Sequence, residues 1–138
     1  MTKDEALQIL EDNCRCDNDS FMDYTHERDM FEEKAFWELY NAIRVLSYEY
    51  KGKTLDKKIA HDIFHIVNYS HLKLLFHFDR SDLFTFDVLP KNYSEYYHRL
   101  HLLAGTFYNE ELITDELEMY LNEDLRNPYS IFLDAIEA

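Results

Sequence analysis

The chain contains very few residues that interrupt regular secondary structure. Among its 138 residues there are only two glycines and two prolines. A β-sandwich or barrel needs a turn about every eight to twelve residues, and such turns usually contain glycine or proline. Because four residues cannot supply that many turns, the sequence predicts an all-α fold. The length fits a single domain over residues 1–138, and a hydrophobic content of 46% is enough for a core.

Capping residues and apolar spacing divide the chain into five or six predicted helices, which we expect to form an irregular bundle. The side chains that can cap predicted helices are Thr2, Thr54, Asn92, Thr114 and Asn127. Thr2 and Asn92 are each followed three residues later by a glutamate, which is the capping-box pattern. Apolar spacing predicts long helices over residues 29–50 and 55–78, and Asn127-Pro128 predicts a last helix.

Two segments have a less common pattern. The predicted helix over residues 55–78 has two apolar stripes. The first runs through Ile59, Ile63, Ile66 and Ser70, and the second through Phe64, Val67, Leu74 and Leu75. Two apolar faces predict a central, mostly buried helix. In residues 83–89 the helical period fails and apolar and polar residues alternate, which predicts either an ordered loop or one short extended segment.

The charge of the chain restricts its partners. There are 28 acidic residues against 14 lysines and arginines, for a net charge of −14. Nucleic acids and anionic membranes are themselves polyanions, so the charge argues against both as direct partners and favours a basic protein. The N-terminus lacks a signal-peptide pattern. Cys14 and Cys16 are too close for an unstrained disulfide, so we expect a cytoplasmic protein with reduced thiols.

Two acidic tracts predict where a basic partner binds. Between Arg99 and Arg126 there is no lysine or arginine, and the second tract covers residues 17–33. A run of acidic residues with tyrosines among them is the composition expected of an interface with a basic protein, although a solvated helix face can have a similar composition. The residues predicted at this interface are Glu110, Glu111, Asp115, Glu116, Glu118, Tyr120, Glu123 and Asp124, and Asp17, Asp19 and Asp23. Tyr120 also fits an inward stripe with Leu117 and Leu121, so core packing is its alternative role.

A metalloenzyme is the alternative hypothesis. Carboxylate-x-x-His pairs on facing helices can bind metal ions, and the residues in this pattern are His61, Asp62, His65, Glu95 and His98. His61-Asp62 also resembles the His-Asp doublet of HD-type phosphohydrolases, with His26 and Asp115 as nominal partners. The ligand set is incomplete and no phosphate-binding glycine loop is present. We therefore expect no catalytic residues, metal or cofactor.

The acidic tracts also carry a resemblance to a class of proteins. The segments NEELITDELEMYLNEDL (residues 109–125) and DNDSFMDYTHERDMFEE (residues 17–33) are similar in composition to the surfaces of bacterial immunity proteins, which neutralise nuclease toxins. Anti-CRISPR proteins and other nucleic-acid-mimicking inhibitors look similar. The resemblance implies one-to-one binding of a toxin whose nucleic-acid-binding or active-site cleft is masked.

Overall fold

The structure, a computed structural model, describes residues 1–129 and confirms the all-α prediction. Its helices are α1 (Lys3–Cys14), α2 (Phe21–Arg28), α3 (Glu33–Tyr50), α4 (Lys57–Phe78), α5 (Tyr93–Tyr108) and α6 (Asp115–Leu121). Within residues 1–129 no strand is present. The helix predicted after Asn127-Pro128 lies largely in residues 130–138, outside the described residues.

Helix α3 forms the centre of the bundle. From Ala35 to Ser47 every residue except Glu38 is buried, and α1, α2 and α5 all pack against this helix. At its N-terminal end the ring of Phe36 lies 5.5 Å from that of Phe21 and 5.0 Å from that of Tyr96, both edge-on. Edge-to-face aromatic pairs of this kind add about 0.5–1.5 kcal/mol each to the burial of their area.

The predicted central position of the 55–78 helix is wrong. Helix α4 packs on α1, α2 and α5 at the edge of the bundle. Its first stripe is buried. In the second stripe Val67 is buried and Leu74 is partly buried, but Phe64 is 60% exposed and Leu75 is 66% exposed. Residues 1–129 therefore cover the first apolar stripe of α4 and only part of the second.

The caps were predicted correctly at two helices and incorrectly at two others. Thr2 and Glu5 form the capping box of α1, and the Thr114 hydroxyl caps α6. At α4, however, the cap is Asp56 and not Thr54. Asn92 does not cap α5 with its side chain, because its amide nitrogen donates to the Glu95 carboxylate at 3.2 Å instead.

The segment before α3 contains a helix that the sequence did not predict. Helix α2 ends at Asp29, whose left-handed φ of 53° breaks the helix, so α3 begins at Glu33 and not at residue 29. The chain between them pairs with a later loop, where the Phe31 amide donates to the Val88 carbonyl at 2.8 Å. The extended segment predicted near residues 83–89 is therefore reduced to one isolated bridge, between Met30 and Val88.

Candidate protein-binding surface

Two buried arginines hold the acidic segment from Thr114 to Leu125 against the core. Arg99 of α5 donates to the Glu118 carboxylate at 3.2 Å and to the carbonyls of Leu121 and Leu125 at 2.9 and 3.1 Å. Arg44 of α3 donates to the Ile113 carbonyl at 2.6 Å and to the Asp115 carboxylate at 3.1 Å. We call Arg44 and Arg99 the arginine clamp, since together they fix a segment whose only helix has seven residues.

The prediction that Glu118 lies at a partner interface is wrong. Its side chain is fully buried and accepts hydrogen bonds from Arg99 and from the Tyr40 hydroxyl, the latter at 2.9 Å. Burial, and then the negative charge of Glu118, raise the pKa of Tyr40, which keeps this hydroxyl protonated as a donor. Asp115 is half-buried and forms an ion pair with Arg44. The sequence could not show this, because both arginines lie outside the acidic tract.

The other acids of the tract face outward and lie beside two large exposed side chains. Positions 116, 119, 120 and 123 follow the three- and four-residue spacing of one helix face. Met119 is 74% exposed and Tyr120 is 68% exposed, so core packing is not the role of Tyr120. We call Glu116, Met119 and Tyr120 of α6, together with Glu123 in the turn just after the helix, the α6 outer face. The remaining acids predicted there, Glu110, Glu111 and Asp124, are also exposed.

The second acidic tract is partly neutralised within the chain. Asp17 and Asp19 are exposed in the loop before α2, but Asp23 is buried and accepts a hydrogen bond from the Asp19 amide at 2.9 Å. Arg28 forms ion pairs with both Asp19 and Asp23, and its guanidinium lies 4.4 Å from the centre of the Tyr24 ring. Helix α2 of this tract packs on α1, α3 and α4, whereas α3 and α5 hold the Thr114–Leu125 segment. The two tracts are therefore held in place by different sets of helices.

Of the predicted metal ligands, the structure brings only His61 and Asp62 into contact, with His61 Nδ1 3.3 Å from Asp62 Oδ1. His61 and His65 are exposed on the outer side of α4, with their rings stacked 6.1 Å apart. Asp62 points inward, where it accepts from Lys58 at 2.6 Å and from Cys14 at 3.4 Å. Burial, and then the Asp62 charge, raise the pKa of the Cys14 thiol to about 11, which keeps it protonated at neutral pH. The Asp62 carboxylate therefore accepts hydrogen bonds from within the fold.

The other half of the predicted ligand set lies on α5. His98 is exposed beside Tyr97, whose ring packs 5.4 Å from His71, and His71 is more than a turn of α4 beyond His65. Glu95 is bound to Asn92 at the start of α5. Among residues 1–129, no group of three or more His, Cys, Asp or Glu is placed to hold a metal ion.

The nominal partners of the His61-Asp62 doublet are also separated. The His26 ring nitrogen lies 2.6 Å from the Tyr69 hydroxyl, at the contact between α2 and α4. Asp115 lies at the start of α6, bound by Arg44. The four residues therefore do not form the cluster that the HD-type hypothesis requires.

Comparisons with known proteins give no family for this chain. No protein-family model matches it, and no curated protein and no solved structure is significantly similar to it. In the part of the chain that the structure describes, no helix has both the length and the apolar composition needed to cross a bilayer. Because the comparisons match nothing, the candidate surface is argued from the geometry of its own residues alone.

Proposed function

We propose that this chain is an acidic cytoplasmic binding protein that neutralises a basic partner. The partner class that fits best is a nuclease-type toxin, which an immunity protein inhibits by masking the nucleic-acid-binding or active-site cleft. The supporting observation is the α6 outer face. There an exposed tyrosine and methionine lie between exposed glutamates on a segment that the arginine clamp fixes from below.

The chemistry of this face suits a cationic cleft. Tyrosine is frequent among the side chains that dominate binding energies, because it contributes apolar area and a hydroxyl with few rotamers to immobilise. Carboxylates around it attract lysines and arginines and speed association. Because Arg99 and Arg44 already hold the segment, little conformational entropy is lost when a partner binds.

Charge reversal on the face tests the proposal with the basic protein that co-purifies with this chain from its native cells. Glu116→Lys and Glu123→Lys should each lower the association rate constant several-fold, since they remove electrostatic steering. Glu38→Lys is the matched control, because Glu38 is an exposed helical acid on α3 and the change in net charge is the same. Stopped-flow kinetics at about 0.1 M salt, where the Debye length is about 10 Å, gives the comparison.

Truncation of the tyrosine completes the test. Tyr120→Ala should weaken binding by about 2 kcal/mol, or roughly thirty-fold in Kd, mainly through faster dissociation. Its melting temperature should stay unchanged, because the side chain is 68% exposed. Equal association rates for the Glu116, Glu123 and Glu38 variants would show that the α6 outer face is only solvated surface.

A further inference from the structure

Two histidines lie side by side on the outer side of α4. His61 and His65 are four residues apart, so their side chains leave the same helix face one turn apart. Both are exposed to solvent, their rings are parallel to within 3°, and the ring centres are 6.1 Å apart. Histidines at this spacing on one helix can bind a single zinc ion together.

The distance between the two rings fits one ion. Bonds from zinc to histidine nitrogen are about 2.0–2.1 Å long, which puts the ion about 3.2 Å from the centre of each ring. Two rings bound to a tetrahedral ion therefore have centres about 5 Å apart. The rings of His61 and His65 need to approach each other by only about 1 Å, which exposed side chains achieve by small rotations about their χ angles.

The contact between His61 and Asp62 leaves the outer ring nitrogen of His61 ready to bind a metal ion. The His61 Nδ1 lies 3.3 Å from Asp62 Oδ1. Because an ionised carboxylate can only accept, Nδ1 carries the proton, and Nε2 of the neutral ring keeps its lone pair. A carboxylate bound to the second ring nitrogen is a common partner of metal-bound histidines. Asp62 is itself held by Lys58 at 2.6 Å and by Cys14 at 3.4 Å.

The ring of His65 is oriented by the next aromatic residue of the same helix face. It stacks on the Tyr69 ring with the ring centres 5.8 Å apart and 15° between the planes. The Tyr69 hydroxyl lies 2.6 Å from the His26 ring nitrogen of α2. The row of rings from His61 to Tyr69 is therefore held at one end by Asp62 and at the other by α2, which limits the rotamer freedom lost when both histidines bind one ion.

We propose that His61 and His65 form a chelating site for one borderline divalent transition-metal ion, such as Zn²⁺, Ni²⁺ or Cu²⁺, with water at the remaining positions. Imidazole nitrogens suit these ions, whereas Mg²⁺ and Ca²⁺ prefer oxygen ligands. The site differs from the larger centre predicted from the sequence, because Glu95 and His98 of α5 take no part in it. This inference is independent of the proposed function.

Two protein ligands predict a moderate affinity. Structural zinc sites have four protein ligands, and with only two imidazoles we expect a dissociation constant on the order of 10 µM for Zn²⁺. The charges around the site change this value little, because lysines and acids on the first turns of α4 and on α1 nearly balance, with Lys57 and Lys58 against Asp56, Asp62 and Glu11.

Isothermal titration calorimetry with ZnCl₂ at pH about 7.5, where free imidazoles are mostly neutral, tests the site. One ion should bind per chain. His61→Ala and His65→Ala should each weaken binding about tenfold or more, since a single imidazole cannot chelate, and their melting temperatures without metal should be unchanged because both side chains are exposed. His98→Ala is the matched control, since His98 is exposed on α5 three residues before another exposed histidine, His101, and it should bind Zn²⁺ like the unmodified chain.

Nuclear magnetic resonance locates the ion. Paramagnetic NiCl₂, added at less than one equivalent, should broaden the ring signals of His61 and His65 before those of His98 and His101. MgCl₂ should leave the signals of His61 and His65 in place. No Zn²⁺ binding up to about 1 mM, an affinity that survives both alanine substitutions on α4, or an equal loss of affinity in His98→Ala would overturn the proposal.

Discussion

At the scale of single residues, Glu118 shows how much the role of a carboxylate depends on residues far away in sequence. It lies within the most acidic stretch of the chain, yet its side chain is fully buried against Arg99 and the Tyr40 hydroxyl. Arg44 also lies 3.6 Å from it. The exposed glutamate two residues earlier, Glu116, has no such role. Two acids of the same helix therefore have different roles: Glu118 stabilises the fold, whereas Glu116 lies on the surface.

Glu118→Gln should destabilise the fold strongly, by about 3 kcal/mol or more, because it leaves two buried guanidinium groups with less than their compensating charge. Urea unfolding followed by circular dichroism measures the difference. Glu116→Gln makes the same chemical change at an exposed site, where surface substitutions usually stay within about 0.5 kcal/mol. Equal stabilities for the two variants would mean that the buried charge of Glu118 contributes nothing to stability.

At the scale of helices, local signals in the sequence located most elements but not their surroundings. The capping box at Thr2 and the cap at Thr114 were predicted because a cap depends on only a few consecutive residues. Helix α2 was missed, since its end depends on the left-handed backbone of Asp29 and on pairing with the distant Val88 loop. The burial of α4 was mispredicted because helical spacing reveals apolar faces without showing which of them the chain covers.

The sequence also predicted part of the candidate surface and missed the rest. Charge runs correctly identified Glu116, Glu123 and their neighbours as exposed acids, because no lysine or arginine is close in sequence. The same reasoning failed at Glu118 and Asp23, whose partners Arg99 and Arg28 lie on other turns or other helices. Phe64 and Leu75 of α4 were predicted to lie in a buried stripe, since an exposed apolar stripe and a buried one have the same spacing.

Two residues of α4 separate its covered and uncovered faces. Ile66→Ala should lower the free energy of unfolding by about 2–5 kcal/mol, because Ile66 is fully buried and its truncation leaves a cavity. Phe64→Ala removes a larger side chain from the same helix but should change the free energy of unfolding by less than about 1 kcal/mol, since Phe64 is 60% exposed. Chemical denaturation followed by circular dichroism gives both values. Similar losses for the two variants would place both faces of α4 in the core.

At the scale of the whole molecule, the net charge of −14 opposes the compact state. Of the 14 lysines and arginines, Arg44, Lys73 and Arg99 are buried, and Arg15, Arg28 and Lys58 form ion pairs with acids. The glutamates of the α6 outer face are exposed to solvent. The fold therefore holds surface carboxylates close together against their mutual repulsion.

Added salt should stabilise the chain, because it screens this repulsion. We expect the melting temperature to rise by a few degrees between about 0.02 and 0.3 M NaCl, measured by circular dichroism. The double variant Glu110→Gln, Glu111→Gln removes two exposed charges from neighbouring positions and should show a smaller rise. A melting temperature that falls with salt would mean that attractive surface pairs outweigh the repulsion.

The arginine clamp also has a consequence for the order in which the protein is completed during synthesis. Residues 114–125 leave the ribosome after Arg44 and Arg99, and a seven-residue helix is too short to persist by itself. The segment can take its final position only once α3 and α5 have brought the two guanidinium groups together. The α6 outer face is thus among the last parts of residues 1–129 to be assembled. A partner that recognises it would bind finished molecules and ignore nascent ones.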